Sequence, residues 1–90
     1  MTMTLWLEDR RQCEPPEGTD RHPVPSAVVD DLAVVGISLP LLDHTDASFA
    51  RVWLRAMVTI FADTEETRAV FAPFLKDCER HPCAMVRVEA

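Results

Sequence analysis

Glycine is scarce in this chain: Gly18 and Gly36 are the only two among 90 residues. That excludes a glycine-rich phosphate loop and the Gly-x-Gly-x-x-Gly dinucleotide turn, whose backbones approach phosphate only where no side chain intervenes. No Gly-x-Ser-x-Gly nucleophile elbow is present either. Lysine is scarcer still, with Lys76 alone, and nine basic residues face fifteen acids for a net charge of −6. Neutralising a phosphate backbone takes clustered Lys and Arg, so direct nucleic-acid binding is not expected. The cysteines number three, odd and too few for a disulfide scaffold, which suits a reducing cytoplasm. No run approaches the roughly 20 apolar residues that cross a bilayer, and Met1 to Glu8 lacks the basic start of a signal peptide. No membrane association is expected.

What is present is globular. Apolar residues make up 48% and charged residues 27%, a balance that supports a packed core. Residues 1–90 are expected to form a single domain, interrupted by a proline-rich loop at 10–25 that carries Pro15, Pro16, Pro23 and Pro25. A core this small is marginal, so a partner protein, a homodimer or a metal would add to its stability.

The periodicity predicts an α+β domain: two to three helices packed on a small sheet formed by the N- and C-terminal strands. Met3 to Leu7 and the alternating Ala84 to Glu89 are the two strand candidates, able to pair with each other. Ser26 to Val35 carries valines that suit a strand, but its spacing Val28, Leu32, Val35 is helical. Gly36 stands where a left-handed terminator belongs, and Ile37 is placed to touch Leu32. From Ser48 to Phe61 the polar residues Ser48, Arg51, Arg55 and Thr59 recur every three or four positions among apolar ones. So narrow a polar stripe predicts a helix buried on most of its circumference, with Trp53 in the core. Asp63 with Glu66 resembles a capping box for a second helix, whose apolar stripe is Val70, Phe71, Phe74, Leu75 and Cys78. Pro73 falls on that helix's outer face.

Four constellations bear on function. Leu32 to Ser38 resembles the turn of a helix-turn-helix, but the following Leu39 to Asp46 has neither Lys nor Arg to meet DNA. Cys78, His81 and Cys83 offer thiolate and imidazole donors for zinc, with Cys13 or His22 as a fourth, although Cys78 also fits the apolar stripe. A Cys–His nucleophile needs an oriented base, and the adjacent carboxylates Asp30–Asp31 and Glu65–Glu66 diverge by about 100° on a helix. No enzyme is expected. Arg51 and Arg55, one turn apart beside Trp53, form either internal salt bridges to acids of the second helix or an interface stripe.

The function these features favour is a small acidic, non-catalytic accessory or regulatory protein acting by protein–protein contact with a larger protein or complex. Its candidate contact residues are Asp63, Glu65 and Glu66 for a basic partner, then Arg51, Arg55 and Trp6 on a strand edge. No cofactor is required by this reading. The alternatives are a small zinc protein using Cys78, His81 and Cys83, and an acidic inhibitor that imitates nucleic acid.

Overall fold

A computed structural model describes residues 2–90. Strands β1 (Met3–Glu8), β2 (His22–Val24) and β3 (Met85–Glu89) form one antiparallel sheet in the order β2-β1-β3. Helices α1 (Ser26–Val34), α2 (Ala47–Phe61) and α3 (Glu65–Arg80) lie between β2 and β3 in the chain, with a 3-10 turn at Leu39–Leu42. The arrangement is α+β, as the periodicity predicts. Leu5 pairs with Val88 and Leu7 with Val86, joining the two ends of the chain at the centre of the fold.

Leu5, Leu7, Val24 and Val86 form the sheet's contribution to a single apolar core, closed by Val28 and Leu32 of α1, Leu54 of α2, and Phe71, Phe74 and Cys78 of α3. No described helix is long and apolar enough to cross a membrane.

Both sheet edges are protected from further pairing. β2 is an edge strand, and its Pro23 presents no N–H to a neighbour. Along the free side of β3, the Val86 N–H donates to Thr45 O at 2.8 Å and the His44 N–H to Val86 O at 2.7 Å. The Asp43 carboxylate accepts the Val88 N–H at 3.0 Å and the Arg87 Nε–H at 3.2 Å, while Arg87 Nη1 donates to Glu8 at 3.1 Å. Burial alone would raise the Asp43 carboxyl, but those donors and nearby His44 outweigh it and hold the group below its ordinary range.

α1 ends as its sequence predicts. The Ile37 N–H donates to Leu32 O at 2.9 Å and the Gly36 N–H to Ala33 O at 3.0 Å, with Gly36 at φ +84°. This is the double bond of a Schellman ending, with Leu32 and Ile37 both buried in the same core.

Several expectations give way. The loop over 10–25 contains β2, because a proline is tolerated on an edge strand. The cap of α3 is Thr64 rather than Asp63: its hydroxyl accepts the Thr67 N–H at 3.2 Å. Asp77, which no sequence pattern singles out, is buried and paired to His22 Nε2 at 2.6 Å, and it ties the loop to α3. Trp6 lies on the central strand, 8% exposed, with the Arg21 guanidinium 4.1 Å from its ring centre, so it offers no strand edge. Most consequentially, α2 is not buried around most of its circumference, and Trp53 is only partly covered.

Candidate interaction surface

The inner face of α2 consists of Ala47, Ala50, Leu54 and Val58, all buried. Its first amides need no side-chain cap, because the Ala47 N–H donates to Ala84 O at 2.8 Å and the Ser48 N–H to Pro82 O at 3.1 Å. The helix start is thereby fastened to the approach to β3. The same spacing of three, four and four, displaced by two residues, yields Phe49, Val52, Ala56 and Ile60. A displacement of two is about 200° around a helix, which puts this second apolar stripe opposite the first. All four residues are exposed, with Phe49, Val52 and Ile60 at 53%, 62% and 65%. Trp53, half-buried, borders the stripe, and Phe61 is exposed at the helix end.

One polar strip separates the two apolar faces, and Arg51, Arg55 and Thr59 occupy it. The internal salt bridges expected for these arginines are not formed. Among the described residues, the basic members of ion pairs are Arg10, Arg21, His22, His44, Arg68 and Arg87. Arg51 and Arg55 instead line a groove of about 540 Å³ between α2 and α3, across from Lys76 and Glu79. Val58, Phe71 and Leu75 supply its apolar lining, and Arg68 completes it while bonded to Asp63. Arg51, Arg55 and Thr59 also border a shallower depression of about 430 Å³ shared with Val52, Ala56 and Ile60. The cationic strip therefore divides an apolar ridge from an apolar-lined groove. Four of the chain's nine basic residues line the groove with one of its fifteen acids.

The remaining candidates fall elsewhere. Glu65 and Glu66 are exposed in the first turn of α3, where carboxylates meet the positive end of the helix dipole. Asp63 precedes them and is engaged by Arg68. The zinc candidates do not assemble: among the described residues, no three His, Cys, Asp or Glu side chains converge as metal ligands. Cys78 is a core residue whose thiol burial pushes up to about 12, with Asp77 adding to the shift and Arg51 opposing it. Cys83 is exposed and lies with His81 on a separate cleft of about 510 Å³, beside Arg10, Arg11 and Arg80. There, Arg10 is already held by Asp46 and by the Cys83 carbonyl at 3.3 Å. His81 Nε2 is buried without a hydrogen-bond partner, so nothing bonds that nitrogen as the third member of a Cys–His system would.

Sequence reasoning missed Phe49, Val52 and Ile60 as surface residues, and it missed Lys76 as the cation across the groove from the two arginines. The available signal was the doubled three-four-four rhythm of α2, which supplies more apolar surface than three short strands and one neighbouring helix can cover. Comparison with known protein families, with curated proteins and with solved structures yields no match to the chain.

Proposed function

We propose that this protein is a non-catalytic accessory or regulatory module that works by protein–protein contact, with the outward face of α2 as its docking surface. The observation that carries this reading is the stripe of Phe49, Val52, Ala56 and Ile60 standing in solvent on a well-anchored helix. Covering the exposed part of Phe49, Val52 and Ile60 would contribute about 1–2 kcal/mol each, since full burial of such a side chain is worth about 1.5–3 kcal/mol. Several kcal/mol matter to a domain of this size. Arg51, Arg55 and Trp53 beside the stripe are of the residue types that dominate binding energy at interfaces. The three cysteines are unpaired and two are exposed, which fits work in a reducing cytoplasm.

Site-specific photocrosslinking tests the reading. A photoreactive amino acid at Val52 or Ile60, introduced in the protein's own host, is expected to give one discrete protein adduct at both positions. The same group at exposed Ala27 on α1 serves as the control. Adducts from position 27 alone, or none at all, would remove α2 as the docking surface.

A further inference from the structure

We infer that the occupant of this surface is an acidic amphipathic helix from a different protein, laid along α2 with its carboxylates over Arg51 and Arg55. The inference rests on the contact reading above and adds the chemistry of the partner.

Charge complementarity is the first argument. The chain carries −6 overall, yet Arg51, Arg55, Arg68 and Lys76 gather on one groove whose single acid is Glu79. Arg51, Arg55 and Lys76 have no ion-pair partner within the described residues, so their charges are available to a ligand. Arg51 and Arg55 stand four residues apart, one helical turn, on the same side. Carboxylates spaced by one turn on a partner helix would meet both at once.

Shape supplies the second. The exposed stripe runs along the 15-residue α2, about 22 Å. A straight apolar ridge of three-four spacing is complementary to the ridges of another helix, and an amphipathic segment of about four turns would match it. An added β-strand is a poorer fit, because a helix face presents no free backbone groups. The sheet edges that could accept a strand end in Pro23 on one side and the Asp43–Ala47 segment on the other.

A second copy of this chain is disfavoured by the same charges. An isologous contact uses the same patch on both subunits, so antiparallel pairing through the stripe would place Arg51 and Arg55 beside their own counterparts. Each copy would also bring a further −6.

The test uses two synthetic peptides of about 18 residues with one leucine stripe, whose flanks are all Glu in one and all Lys in the other. Binding to the full chain is followed by fluorescence anisotropy at low and high salt. The Glu peptide is expected to bind at least about fivefold more tightly than the Lys peptide, with the preference shrinking as salt screens the rim. Arg51→Glu with Arg55→Glu should reverse the preference. Arg55→Glu with Lys76→Glu, both at exposed positions, is the second variant should the first fail to fold. Val52→Ser with Ile60→Ser should abolish binding of either peptide.

Equal binding of the two peptides at all salt concentrations, or a preference for Lys, would overturn the acidic-helix inference and leave the contact reading standing. Concentration-dependent self-association removed by Ile60→Ser would do the same, with a second copy as the occupant. A monomer at every concentration that binds neither peptide and gives no photoadduct at position 52 or 60 would end both.

Discussion

Phe71→Ala and Ile60→Ala should behave oppositely, although both replace a large apolar residue on a central helix. Phe71 is 1% exposed and sits in the core with Phe74 and Leu54, both fully buried. Truncating a packed phenylalanine costs about 3–5 kcal/mol through lost transfer energy and the cavity left behind. At about 0.05–0.15 kcal/mol per residue, a chain of 90 residues has about 5–13 kcal/mol in total. Phe71→Ala therefore removes a large share of the stability, and Phe71→Leu provides a milder version if the alanine variant does not fold. Ile60 is 65% exposed, and surface replacements of this kind stay within about 0.5 kcal/mol. Urea unfolding with a shared m-value measures both. Each variant should be examined at two protein concentrations, because a face occupied by a second copy would make the cost of Ile60→Ala depend on concentration. A cost above about 2 kcal/mol for Ile60→Ala in the dilute monomer, or below about 1 kcal/mol for Phe71→Ala, would refute the division of α2 and α3 into inner and outer faces.

Thiol titration of the native protein should count two fast groups, Cys13 and Cys83, and release Cys78 only on unfolding, since burial pushes that thiol to about 12; three fast thiols would contradict the packing of α3. Asp43 is held below its ordinary value of 3.8, so its contribution is complete above that value and is lost as pH falls through the lower folded value. Asp43→Asn should therefore destabilise the protein near neutrality and flatten the acid limb of its stability curve below about pH 4, and an unchanged acid limb would exclude that role. Asp77→Ala leaves His22 Nε2 without its acceptor, at an expected cost of about 1–3 kcal/mol, and should make the 10–25 loop the first site of limited proteolysis. Unchanged cleavage would mean that the loop is held elsewhere.

The pairing of the two terminal strands and the ending of α1 were legible because each depends on local pattern: alternation in Met85–Glu89, and a glycine one step past the last helical turn at Gly36. Cys78 in register with Phe71 and Phe74 was legible for the same reason, since one helical stripe decides it. Other features depend on partners far apart in the chain. Pro23 reads as a strand breaker until its neighbour Thr4 shows that it lies on an edge. The burial of Asp77 depends on His22, 55 positions earlier, which provides a donor for its carboxylate. The cap at Thr64 rather than Asp63 is a one-residue ambiguity between adjacent capping side chains, of which Thr64 is the one whose hydroxyl accepts the Thr67 N–H. α2 is a different case. Its sequence states correctly that nearly the whole circumference is apolar, but periodicity does not specify that the second face is left in solvent.

We propose that the outward stripe of α2 serves contact rather than folding. The most direct measurement compares the photoadduct yield at position 52 in the otherwise unchanged protein with that in the Phe49→Ser, Ile60→Ser background, alongside the melting temperature of both. The expected result is loss of the adduct with Tm shifted by no more than a few degrees. An undiminished adduct, or collapse of the fold on replacing these two exposed residues, would contradict the claim.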